Sequence, residues 1–293
     1  MDDPPDRATQ QVSQDSTFAP VEEWPSFKEQ LAELDRTLDI GDLPGQLARI
    51  PLDVWGAILL DPARYLPRNG HLLPRMPSAE VQKMWTGNHG PAMLRQSLLF
   101  VRLLSALTDD ALRLGPVLDY GVGWGRLSRL LLKYVPVNHL HGVDAWEHSL
   151  EHARECRLPH PLRLVSTRLE KGELSELYSV IYAYSVFTHL APEAFMHNLG
   201  RLIEALRPGG RLVITVRPPE FWNSLRPNSH REKRPPLQRG IMHVPSETAD
   251  YGDTVVTHAW IAEQIRSHGL VDLQTEWHHA DSFQVIWSAQ RPD

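Results

Sequence analysis

The chain has 293 residues, a formal charge of −6 and 42% hydrophobic residues. That is enough apolar content for a core, and the acidic balance argues against a general nucleic-acid binder, whose footprint is basic. Cys156 is the single cysteine, which excludes an intramolecular disulfide, a cysteine-built zinc site and a three-cysteine iron–sulfur cluster.

Residues 1–20 are polar, acidic and proline-bearing and read as a disordered tail, not as a secretory signal. No apolar stretch approaches the ~20 residues that span a bilayer, so a cytoplasmic protein without membrane contact is expected. Residues 21–90 read as a helical and irregular N-terminal cap. A helix is predicted from Trp24 to Ile40, followed by proline-punctuated sequence in which Trp55, Leu59, Leu60 and Trp85 call for burial. Pro91 opens a longer helix with Leu94, Leu98, Val101 and Leu104 on one face. From there to residue 293 strands and helices alternate. Strands are expected near 117–120, 139–144, 162–165 and 180–185, then a helix starting at Pro192, and a turn leading into a fifth strand within 206–216. Such alternation means parallel strands joined by helical crossovers, a doubly wound α/β domain. Near the end, Thr257 caps a helix, and strands at 271–277 and 283–289 are joined by a link so short that they must pair antiparallel.

The central feature is Val117-Leu118-Asp119-Tyr120-Gly121-Val122-Gly123-Trp124-Gly125-Arg126-Leu127, a strand running through glycines into a helix. Glycines there let a ligand approach main chain. A phosphate-cradling P-loop would need a lysine and a hydroxyl after the glycines, and neither is present. A dinucleotide fingerprint would place its third glycine where Arg126 stands. The pattern is D-x-G-x-G-x-G, and an acid at the strand end suits a cationic amino group better than a pyrophosphate. Asp144 closes the next strand roughly 20 residues on, the distance at which a nucleotide fold places its ribose-binding acid.

With these motifs the chain resembles the class I S-adenosylmethionine (SAM)-dependent methyltransferases. The segment Tyr184–Leu190 and the turn Leu206-Arg207-Pro208-Gly209-Gly210 are similar to later motifs of that family. The resemblance covers about residues 91–292. It implies a Rossmann-like, mostly parallel seven-stranded sheet with one antiparallel strand. It also implies SAM as cofactor, with Asp119 and the backbone of Gly121, Gly123 and Gly125 at its amino-acid end, Asp144 at its ribose, the Ala183-Tyr184-Ser185 backbone beside the sulfonium, and Ala145 among the binding residues. One departure stands at Tyr178-Ser179, where relatives often carry an aromatic–Asp pair. The function implied is methylation of a small-molecule acceptor, at oxygen, by direct displacement. A nicotinamide-dependent oxidoreductase and a catalytically silent SAM-binding protein are the alternatives.

Methyl transfer to oxygen or nitrogen asks for positioning and for removal of one proton. His189, just after the fourth strand, is the first candidate base; His243, Tyr251 and His89 follow. His148 and His152 share a helix face but lack a third ligand, so no metal is expected. Residues 217–250 are expected to form a lid. Its cations include Arg217, Arg226, Arg231, Lys233, Arg234 and Arg239, which suit an acceptor bearing a carboxylate or phosphate.

Overall fold

The structure is a computed structural model that describes residues 27–108, 110–174, 177–224, 237–278, 281 and 283–293. The expected tail, Trp24, and the lid residues Arg226, Arg231, Lys233 and Arg234 lie outside the described residues. Nine strands are described: β1 Val117–Tyr120, β2 Leu140–Asp144, β3 Leu162–Leu164, β4 Tyr178–Ala183, β5 Leu206–Val216, β6 Ile241–Thr248, β7 Tyr251–Val256, β8 Val271–Trp277 and β9 Val285–Gln290. Seven of them form one sheet in the order β3-β2-β1-β4-β5-β9-β8. Strands β1 to β5 pair in parallel, and β9 runs antiparallel to both β5 and β8. This is the Rossmann-like arrangement expected from the sequence, with one reversed strand.

The order of connection decides where a ligand can sit. The chain steps outward from β1 to β3, then returns to lay β4 on the other side of β1. At that reversal the crossovers part, leaving a crevice at the carboxyl ends of β1 and β4. Strands β1 and β4 are buried along their whole length because helices cover both faces. Alternate residues serve the two layers. Val117, Val180 and Tyr182 pack with Leu94, Leu98, Val101 and Leu104 of helix Gly90–Thr108. Leu118, Ile181 and Ala183 pack instead with Phe195, Leu199 and Leu202 of helix Pro192–Glu204, and with Ile261 and Ile265 of helix His258–Ser267.

The described N-terminal helices belong to the first of these layers. Trp55 is fully buried there, and its indole N–H donates to the carbonyl of Arg129 at 3.1 Å. Arg129 is itself fully buried and pairs with no carboxylate of the described residues. Its guanidinium donates to the carbonyls of Gly125, Trp124 and Arg75, at 2.9, 3.0 and 2.7 Å, pinning the N-terminal segment to the glycine turn. Burial pulls it down to about 10, which still leaves it charged at neutral pH.

An element absent from the sequence reading is the β6–β7 hairpin. Its strands carry Pro245 and alternate weakly, so they give little local signal. Pairing partners far away in the chain hold it: Thr254, Gly252 and the Asp250 carbonyl bond main chain of Thr188, His189 and Ala191. No helix among the described residues is long and apolar enough to cross a membrane.

Candidate functional site

A cavity of about 680 Å³ opens in the crevice, within the roughly 300–1,000 Å³ usual for pockets that take small ligands. It brings together Asp119, Gly121, Gly123, Asp144, Ala145, Tyr184, Ser185, His189 and Tyr251. Gly125, His89 and His243 are not among its lining residues.

The glycine turn is shaped by its surroundings. Gly121 and Gly125 have φ of +81° and +80°, in the left-handed region where only glycine is unstrained. A Cβ on Gly121 would lie 2.3 Å from Cγ2 of Val186, and one on Gly125 would lie 2.0 Å from Cδ1 of Leu158. Gly125 therefore supports the turn from behind. The amides of Gly121 and Val122 donate to the Val143 carbonyl at 2.8 and 3.0 Å, tying the turn to β2. What the turn offers a ligand is close approach.

Asp144 ends β2 beside this turn. One carboxylate oxygen accepts the Gly123 N–H at 2.9 Å and the other accepts the Trp146 N–H at 3.0 Å. Each oxygen keeps acceptor capacity, so the fixed carboxylate can take two neighbouring hydroxyls, as a ribose presents them. Burial raises its pKa, while the backbone N–H groups pull it back down. Asp119 is more deeply buried, and one oxygen accepts the Ser128 hydroxyl at 2.5 Å. Burial pushes it up to about 6, against the pull of the Ser128 and Tyr182 hydroxyls and the Arg126 charge. It is thus ionised at neutral pH and would gain from a cationic neighbour.

Past β4 the backbone makes a strained turn. Ser185 has φ of +60°, uncommon for a residue with a Cβ, and the Thr215 hydroxyl holds its amide at 2.7 Å. Ser179, at the other end of β4, donates its hydroxyl to the Pro116 carbonyl at 2.9 Å, a contact within the sheet and remote from the cavity.

His189 follows this turn. Its Nδ1 lies 2.8 Å from the Gly252 carbonyl, which can only accept, so Nδ1 carries the proton and Nε2 keeps its lone pair. The ring stacks on Tyr251, with 5.1 Å between centroids, and Tyr251 packs in turn against Trp146. Burial, then the nearby Arg217, pushes His189 down to about 4, so the ring is neutral at physiological pH. Arg217, at the end of β5, lines the same part of the cavity, pairs with Asp253 at 2.7 Å and lies over the Phe221 ring. His243 sits on β6, where Nδ1 bonds the Thr254 hydroxyl at 2.8 Å.

His148 and His152 pack against each other and against Trp85. Among the described residues no group of three or more histidine, cysteine, aspartate or glutamate side chains is placed to hold a metal.

Several lining residues escaped the sequence reading. Trp85 was expected only as a buried residue and Arg126 only as a missing glycine, while Gln96 and Asp281 went unremarked. The position of Arg126 directly after the third glycine was the one available signal. Gln96 and Asp281 stand 185 residues apart and meet only in the folded chain.

Residues 117–210 match the family model of a methyltransferase domain. The match takes in β1 to β4 with the glycine turn and Asp144, about a third of the chain. A trans-aconitate 2-methyltransferase of Sinorhizobium fredii is 34% identical over 119 residues, 39% of this chain and 42% of that relative. An uncharacterised methyltransferase of Bacillus subtilis is 29% identical over 105 residues, 36% of this chain and 57% of that relative. The chain thus spans less than half of the first relative's length. Among solved structures, a SAM-dependent methyltransferase from Clostridium acetobutylicum superposes with a TM-score of 0.53 at 10% identity, covering 73% of this chain and 97% of its own. DesVI of Streptomyces venezuelae gives a TM-score of 0.52 at 16% identity, covering 75% and 100%. At such identities these neighbours show the fold of the methyltransferase domain.

Proposed function

We propose that the protein is a SAM-dependent methyltransferase acting on an anionic small molecule at oxygen, in the cytoplasm. The observation that carries the reading is one cavity, at the switch point of the sheet, lined by both Asp119 and Asp144 beside the glycine turn. The residues present fit SAM: a rigid carboxylate with capacity for a vicinal diol, and a buried anion for an ammonium group. Bound there, SAM supplies an electrophilic methyl group on a sulfonium. The chain's own contribution is to hold the two reactants in line and exclude water, from which most of the rate derives.

Support for an anionic acceptor comes from Arg217 beside His189, and from relatives named for methylation of trans-aconitate. His189 is neutral with its Nε2 lone pair available, but burial has made it a weak base. That suits a carboxylate oxygen, which has no proton to lose, better than a hydroxyl. The cap, extending to residue 90, is proposed to cover the cavity through Met84, Trp85 and Gly87, and the 217–250 segment to border its acceptor side through Arg217 and Phe221.

Titration calorimetry with SAM, S-adenosylhomocysteine and NAD, beside an Asp144→Ala variant, tests this reading. Loss of two hydroxyl–carboxylate bonds, at about 1.5 kcal/mol or more each, should weaken S-adenosylhomocysteine by roughly 100-fold or more. Binding of NAD in place of both SAM ligands would return the oxidoreductase. SAM binding without transfer to any carboxylate acceptor would return the silent binder.

A further inference from the structure

We propose that Arg126 receives the α-carboxylate of the cofactor's amino-acid end, in a cradle built with Gln96, Asp281 and Tyr184. The inference rests on the SAM reading above and extends it to a residue outside the glycine motif.

The side chain of Arg126 lines the cavity directly after the turn. Two contacts orient it. Its Nη1 donates to the Gln96 side-chain carbonyl at 2.7 Å, and its guanidinium lies over the Tyr184 ring, 4.6 Å from the centroid. The buried Gln96 then donates its amide N–H to Asp281 at 2.7 Å, and the Tyr184 hydroxyl donates to the same carboxylate oxygen at 3.1 Å. Gln96 is the spacer in this chain. Its carbonyl faces the cation and its amide nitrogen faces the anion, so Asp281 fixes Arg126 without neutralising it by direct contact. No carboxylate of a described residue forms an ion pair with Arg126.

A held guanidinium with donors left over, facing a cavity, is suited to a planar anion. Two anions could enter, the cofactor's carboxylate or an anionic acceptor. The neighbourhood favours the first. Arg126 is close enough to Asp119 for its charge to bear on that carboxyl. One buried anion and one oriented cation on adjoining parts of one turn match a zwitterion whose two charges sit on a single carbon. The second cation considered, Arg217, pairs with Asp253 beside His189.

The experiment compares wild type with Arg126→Gln and Arg126→Lys by calorimetry. The ligands are SAM, decarboxylated SAM, which keeps the ammonium, and 5′-methylthioadenosine, which keeps neither charge. Wild type should prefer SAM over the decarboxylated form by roughly 10- to 100-fold, the range for a hydrogen bond to a charged group. Arg126→Gln should abolish that preference and leave 5′-methylthioadenosine binding unchanged, which also shows that the variant is folded. Arg126→Lys should restore part of it. An unchanged preference in Arg126→Gln, or an effect confined to the KM of the acceptor, would overturn the assignment while leaving the methyltransferase reading intact. Failure of wild type to bind any of the three nucleosides would instead remove the SAM reading itself.

Discussion

Replacing Asp119 with asparagine isolates the cost of keeping a charge inside the glycine motif. The substitution preserves shape, and its side-chain oxygen can still accept the Ser128 hydroxyl that Asp119 holds at 2.5 Å. Asp119 is 3% exposed, and burial raises it to about 6. In the unfolded chain it titrates near 3.9, as ordinary aspartates do. Between those values the native state binds more protons than the unfolded state, so this group lowers stability as pH rises through the window. Two units at about 1.4 kcal/mol each amount to roughly 3 kcal/mol. Asp119→Asn removes this loss. The variant should therefore gain on wild type by about that amount between pH 4 and pH 7, read as the difference of two denaturant-unfolding series. Parallel series would show that the carboxyl is not desolvated and would refute the argument. The same shift predicts that an ammonium-bearing ligand expels a proton. Binding of S-adenosylhomocysteine near pH 6 should release protons in wild type, visible as a buffer-dependent heat, and fewer in Asp119→Asn.

Three further outcomes are expected. His189 is held down at about 4, so below its ordinary value the unfolded state binds the extra proton and stability rises with pH through that window. This slope opposes that of Asp119 where the two overlap, so His189→Gln should unmask a net decline in stability from pH 4 to pH 6 that wild type does not show. On a carboxylate acceptor, His189→Gln should lower kcat by less than about tenfold, whereas a loss of roughly 100-fold or more would assign a hydroxyl acceptor that needs the base. Gly125→Ala combines a φ of +80° with a Cβ 2.0 Å from Leu158. It should destabilise the fold by about 2–5 kcal/mol, and a denaturation midpoint near that of wild type would show that the turn can yield.

The sheet, the glycine turn and the acid at the end of the second strand were legible in the sequence. These are local. Alternation of apolar runs with helical periods forces parallel strands and crossovers, and a turn with φ above zero at Gly121 and Gly125 can be filled by little besides glycine. Asp144 was legible because the length of one crossover fixes its distance from the turn. The hairpin Ile241–Val256 was not, because its strands are held by main chain at residues 188–191 and carry little pattern of their own. His189 was legible as a candidate, but its tautomer and its weakened basicity depend on a carbonyl 63 residues away and on burial that no local pattern encodes. The Arg126–Gln96–Asp281 chain joins a turn, a helix and a loop between the last two strands. Its members look like ordinary polar residues one at a time. Packing the helix and the loop over the same end of the sheet brings them within hydrogen-bond reach, and that long-range contact turns Arg126 from a missing glycine into an oriented cation.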